Sequence, residues 1–248
     1  GQGLVGECGA RVAEFARRSL EAFGDLVPAI KPQVAFFEEY GSAGIAVLED
    51  VLRGIEASGA LSIADAKRGD IGSTMAGYAR AWLRDGSPLA CDALTVSPYL
   101  GVGSLDAAFD MAAENGRGLF VLARTSNPEA AARQAASGPS GTVAQPVADE
   151  VGRRNTAVST GTPGPFGVVV GATVADPPAL GGLAGPVLMP GVGEQGGTLD
   201  DVRRIAGPAL PHTLVNVSRH VLRAGPDVDA MRAVVTELAQ TYRFGDGS

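Results

Sequence analysis

Four charges crowd one short stretch of this chain: Asp65-Ala-Lys67-Arg-Gly-Asp70 directly follows the apolar run Leu61-Ser-Ile-Ala64. A strand running into these residues alternates its side chains, which places Ile63, Asp65 and Lys67 on one face. An acid and an amine held together and partly desolvated suit either fixed electrostatic work or proton delivery by the ammonium group. A structural salt bridge closing the end of a sheet uses the same residue types. Lys31-Pro-Gln33 adds a second lysine just past the apolar pair Ala29-Ile30. On a neighbouring strand, that lysine comes within reach of Asp65.

A different chemistry is written near the C-terminus. Pro190-Gly-Val-Gly193-Glu-Gln195-Gly-Gly197 follows the apolar run Val187-Leu-Met189, and Ser218-Arg219 follows Leu214-Val-Asn-Val217. Glycines let backbone N–H groups approach an anion, an arginine binds phosphate oxygens in pairs, and Gln195 offers an amide donor. Two ordinary loops with one surface arginine would look the same in isolation. Arg124-Thr-Ser126-Asn-Pro128 follows a further apolar run. Its serine and free amides are able to read a polar ring edge or to cap a helix beginning at Pro128.

Such groups need a scaffold that brings strand ends together. Apolar runs at 29–30, 61–64, 93–96, 119–122, 168–170, 187–189 and 214–217 each read as a buried strand. Amphipathic helical patterns lie between them: Val12, Phe15, Ser19 and Phe23 share one face, as do Ile45, Leu48, Leu52 and Ile55, and later Val228, Met231, Val235, Leu238 and Tyr242. Buried strands alternating with helices predict a parallel α/β sheet, and 248 residues without a composition break match one eight-stranded (β/α) barrel, residues 1–248 as a single domain. Seven strands are legible and a helix opens the chain, so the first barrel strand is expected to be missing. In this architecture sites form beyond the carboxyl ends of the strands, where the charged and glycine-rich segments fall.

Composition removes several alternatives. With 20 basic against 27 acidic side chains the net charge is -7, which argues against nucleic acid or an anionic membrane as partner while leaving small anions open. Two histidines and two cysteines cannot build a histidine metal site or a disulfide framework. Cys8 and Cys91 are expected as reduced thiols, Cys91 buried. No apolar run is long enough to span a bilayer, and the N-terminal residues carry no signal-peptide pattern, so the expectation is a cytoplasmic protein.

Taken together, Lys31-Pro-Gln-Val-Ala-Phe-Phe37, Asp65-Ala-Lys-Arg-Gly-Asp-Ile-Gly-Ser-Thr74, Ser97-Pro-Tyr-Leu-Gly-Val-Gly-Ser104, Thr125-Ser-Asn-Pro128 and the 190–197 segment resemble the orotidine 5'-phosphate decarboxylase family, in its actinobacterial-like (type 2) branch. The resemblance implies a homodimeric barrel that converts orotidine monophosphate into uridine monophosphate and carbon dioxide, the last step of de novo pyrimidine nucleotide synthesis, with no cofactor and no metal. It makes Lys31, Asp65, Lys67 and Asp70 an alternating charge array with Lys67 as proton donor. Asp70 and Thr74 are then expected to reach into the partner subunit's site near the ribose. Ser126 reads the pyrimidine, and Gln195, Ser218 and Arg219 meet the phosphate end. The family also places a ribose-binding aspartate at the end of its first strand, for which this sequence has no matching segment ahead of its first helix. The rival readings are a magnesium-dependent sugar-phosphate lyase or decarboxylase of the same superfamily, against which Lys31 speaks, and a non-catalytic nucleotide-binding barrel.

Overall fold

Alternation along each strand settles what its two faces meet. The computed structural model describes residues 2–138, 141–159 and 163–244, with side chains from Gly9 onward, so Cys8 lies outside the described side chains. Its main sheet has seven strands: β1 (Ala29–Ile30), β2 (Leu61–Arg68), β3 (Ala93–Val96), β4 (Gly118–Arg124), β5 (Phe166–Val170), β6 (Val187–Pro190) and β7 (Thr213–Asn216). They pair in chain order and in parallel, so the chain crosses over the sheet between each pair of neighbours. The strand set expected from the apolar runs is therefore present, β2 extending four residues further to include Asp65 and Lys67.

One residue set from the seven strands points to the inside of the curl: Ala29, Ile63, Ala93, Phe120, Leu122, Val169, Leu188 and Leu214 form a cluster of their own. The residues between them, such as Ala64, Leu94, Val121, Val168 and Met189, face outward into a second and larger core. Helices cover that outer core: α1 (Gln2–Phe23), α2 (Gly41–Ser58), α3 (Gly72–Leu83), α4 (Asp106–Glu114), α5 (Ala144–Val158), α6 (Leu199–Ala206) and α7 (Val228–Thr241). Full burial of one large side chain such as Phe166 contributes about 1.5–3 kcal/mol, so two separate apolar layers hold the strand ends in place. A two-residue hairpin, Ser137–Gly138 against Gly141–Thr142, stands apart from the sheet.

The helix faces follow the sequence pattern with one correction. Leu48, Leu52 and Ile55 are buried in α2, and Met231 and Val235 in α7, as their spacing predicts. In α1 Val12 and Phe23 pack partly buried against the core, but Phe15 is 53% exposed and Ala16 is buried in its place. The reason is close packing on α2, where a Cβ at Gly54 would come within 2.7 Å of Leu20 Cδ1. Small residues set that contact, and the bulky Phe15 turns away from it. No helix among the described residues is long and apolar enough to cross a membrane. Cys91 is buried, and burial pushes its thiol up to about 12, which leaves it an inert core residue.

Candidate active site

β1 and β2 deliver the charged cluster. The segment after β1 stays alongside β2, with Asp65 N–H donating to Pro32 O and Val34 N–H to Asp65 O at 3.0 and 3.4 Å. That register carries Lys31 and Gln33 to the Asp65 carboxylate. Lys31 Nζ donates to Asp65 Oδ2 at 2.6 Å and Gln33 Nε2 to the same oxygen at 3.1 Å. The other oxygen, Oδ1, receives Lys67 Nζ at 2.5 Å and the Thr95 hydroxyl at 3.0 Å. Burial pushes the Asp65 carboxyl up, but Lys31 and Lys67 outweigh it and hold it below the usual carboxylate range.

The charge count gives the cluster its character. Two ammonium groups meet one carboxylate, leaving one net positive charge at the strand ends. The Lys31 side chain is 15% exposed and Asp65 10%, whereas Lys67 is 46% exposed and opens to the mouth. An anion, or a carbon acquiring negative charge, is favoured in front of Lys67, and that same group carries a proton to give. Asp70 stands outside this set. Its Oδ1 accepts from the Ile71 backbone N–H at 2.7 Å, and the hydrogen bonds around Asp65 do not include it. Thr74 lies exposed in the first turn of α3.

Across the mouth, the loop after β6 and the end of β7 enclose a pocket of about 150 Å³ lined by Gly191, Gln195, Asn216, Ser218 and Arg219 among others. The structure thus gathers Gln195, Ser218 and Arg219, which the sequence places on two separate segments. The glycines act differently from expectation. Gly193, Gly196 and Gly197 donate their N–H groups to carbonyls inside the loop, at 3.0, 2.7 and 3.1 Å, so they build the turn and are not free anion donors. Gly191, Gly193 and Gly196 hold φ between 75 and 97°, where a side chain is strained. Beside the pocket the Arg219 side chain is exposed.

Ser126 joins the Gln195 end. Asn127, not Ser126, occupies the N-cap position of the short helix Pro128–Gln134, and the Ser126 hydroxyl donates instead to Gln195 Oε1 at 2.9 Å. Its loop is fixed from below by Arg124, 6% exposed, which donates to Asp176 Oδ1 at 2.8 Å and to Thr125 O at 3.0 Å. The Arg124 guanidinium in turn holds the Asp176 carboxyl below its ordinary range. Gly171 lies directly against the same loop: a Cβ there would stand 2.8 Å from Ser126 Cβ and 2.9 Å from Ser126 N.

Sequence reasoning passed over Gln33, Thr95 and Arg124. Gln33 was open to detection, because it lies two residues beyond Lys31 on the same alternating face. Thr95 carried a similar signal, two residues after the inward-facing Ala93. The partner of Arg124 lies 52 residues away and has no local signature.

This geometry agrees with what the chain is similar to. Residues 13–234 match the model of the orotidine 5'-phosphate decarboxylase / HUMPS family. A Corynebacterium efficiens orotidine 5'-phosphate decarboxylase is 54% identical over 233 residues, 93% of this chain and 83% of that protein. One from Corynebacterium glutamicum is 50% identical over 93% of this chain and 84% of its own length. Among solved structures, a Streptomyces avermitilis protein provisionally named orotidine 5'-phosphate decarboxylase superposes with TM-score 0.89 at 49% identity, covering 95% of this chain and 82% of the other. Leishmania donovani OMP decarboxylase gives TM-score 0.74 at 30% identity over 95% of this chain and 89% of its own. By fold and by relationship over nearly its whole length, the chain belongs to the orotidine 5'-phosphate decarboxylase / HUMPS family and stands with its decarboxylases.

Proposed function

We propose that this chain converts orotidine 5'-monophosphate into uridine 5'-monophosphate and carbon dioxide, and that Lys67 is its proton donor. The observation that carries this reading is the Lys31–Asp65–Lys67 array, net positive and open only at Lys67. When the bond between C6 and the carboxyl carbon breaks, the electron pair stays on C6 without an adjacent carbonyl to delocalise it. The ammonium of Lys67 stabilises that pair and then transfers a proton to it. Asp65, clamped by four donors, holds Lys67 and Lys31 at fixed places, so little reorganisation is needed as charge develops. Ser126 reads the pyrimidine edge, while Gln195, Ser218 and Arg219 hold the phosphate. Binding energy gathered there, remote from C6, serves to order the reacting end.

The active form in this reading is a cytoplasmic homodimer with shared sites, each chain acting as one barrel domain. Phe36, Ile71, Tyr99 and Leu100 are 54–68% exposed on the loops that follow β1, β2 and β3, beside Asp70 and Thr74. An apolar patch next to polar groups without a role in their own cluster supports docking of a second copy. Asp70 and Thr74 would complete the neighbour's site.

The test is the absorbance change of orotidine monophosphate with purified protein, run with and without excess chelator. Turnover unaffected by chelator is the expected result. Turnover lost and restored by magnesium alone would move the chain to the metal-dependent sugar-phosphate branch, and binding without turnover would leave a nucleotide-binding barrel.

A further inference from the structure

Between β2 and β3 the ladder loses its regular step. Ile63 pairs with Ala93 and Ala64 with Leu94, but the next pair is Arg68 with Val96. Four steps of β2 are matched by two of β3, so β2 carries extra residues in a bulge that contains both Asp65 and Lys67. Within it Lys67 has φ of 48°, a conformation that residues with a Cβ rarely adopt. Such a backbone persists only where its surroundings hold it.

The far side of the bulge is anchored by Arg68. Its guanidinium lies 5.5 and 5.7 Å from the Tyr78 and Trp82 ring centres, and its carbonyl accepts the Ser97 N–H at 2.7 Å. On the inner side a single side chain meets both functional residues. Thr95, 1% exposed, accepts the backbone N–H of Lys67 at 2.9 Å. Its hydroxyl stands 3.0 Å from Asp65 Oδ1 and 3.4 Å from Ala64 O. A hydroxyl has one proton to donate, and the nearer, charged oxygen takes it. The threonine hydroxyl thus stands in for a ladder carbonyl and orients the carboxylate that receives Lys67 Nζ.

We infer that Thr95 is a positioning residue for the reaction: its hydroxyl fixes the left-handed turn at Lys67 and the Asp65 carboxylate together, and so sets where the Lys67 ammonium stands. The inference rests on the reading of Lys67 as proton donor. Without the hydroxyl, the Lys67 N–H and Asp65 Oδ1 each lose a buried partner while every contact with substrate stays in place.

Thr95→Val keeps the shape and removes the hydroxyl; Thr95→Ser keeps the hydroxyl. In the full-length protein, Thr95→Val should lower kcat roughly tenfold to a hundredfold with KM changed less than about threefold, and Thr95→Ser should keep kcat within about threefold of the parent. Hydrogen exchange at the Lys67 amide should accelerate in Thr95→Val and not in Thr95→Ser. A kcat in Thr95→Val within about twofold of the parent, or a loss carried entirely by KM, overturns the inference. If Thr95→Val does not fold, Thr95→Ala against Thr95→Ser gives the same comparison, and equal activities overturn it. If the parent protein fails to decarboxylate orotidine monophosphate, the role of Lys67 falls, whereas the Lys67 exchange rate still decides the role of Thr95: no acceleration in Thr95→Val overturns it.

Discussion

The two ends of the site are built in opposite ways. At the Asp65 end each carboxylate oxygen is doubly hydrogen-bonded within the chain itself and the backbone is held in an unfavourable turn. At the Arg219 end the pocket is open, its arginine is exposed, and the amides of Gly193, Gly196 and Gly197 are spent on the loop's own turn. The contrast teaches where organisation is worth its strain. A group that must meet developing charge at one atom is fixed in advance, whereas contacts to a doubly charged phosphate tolerate adjustment and form with the ligand.

If that division holds, substitutions at the two ends should fail differently. Lys67→Ala should remove turnover, a loss of at least roughly a hundredfold to ten-thousandfold in kcat, while circular dichroism and dimer mass stay unchanged. Substantial residual kcat would show that another group supplies the proton. Asp70→Ala should be severely impaired as well, for a reason that a mixing experiment separates. When Lys67→Ala and Asp70→Ala proteins exchange subunits, a mixed dimer collects both lesions in one site, so roughly a quarter of all sites should recover. No regain despite mixed dimers confirmed by mass would place Asp70 in its own chain's site.

Arg219→Ala tests the adjustable end. Loss of a charge-assisted contact costs on the order of 1.5–3 kcal/mol, so kcat/KM should fall about tenfold to a hundredfold, chiefly through KM. A fall confined to kcat would contradict the contrast. The smallest effect concerns acid. The Asp65 carboxyl is held below its ordinary range in the folded chain, so the stability it adds is complete above about pH 4, the unfolded value, and is lost as pH falls through the folded one. The difference in Tm between the parent and Asp65→Asn should therefore narrow on acidification below about pH 4; a gap that widens there would mean Asp65 is not held ionised by its lysines.

Much of this was legible from residue type and spacing. Continuous apolar runs marked the strands because each buries both faces, and a charge pair beyond a buried run marked the reacting end. The lysine at 31 became meaningful only as the neighbour of Asp65, which chain order in a parallel sheet supplies. What stayed hidden was uncharged or distant. Thr95 shares the inward face of Ala93, but threonine is an ordinary β-former in a strand, so that position alone does not separate a functional hydroxyl from a packing choice. Phe15 misled because helical periodicity weights bulk, while the contact of α1 with α2 is made by small residues that let the helices approach. Gly193, Gly196 and Gly197 read as open amides because sequence shows a donor but not what it is already bonded to.

The close approach of Gly171 to Ser126 also bears on how such a protein drifts. One methyl group at position 171, on a buried turn, would displace the Ser126 loop and, through the bond from Ser126 to Gln195, disturb the pocket beside Arg219 as well. A lineage under selection for the same ligand must keep glycine there. One released from that selection has, at this single position, a one-step route to a reshaped pocket that leaves every lining residue unchanged.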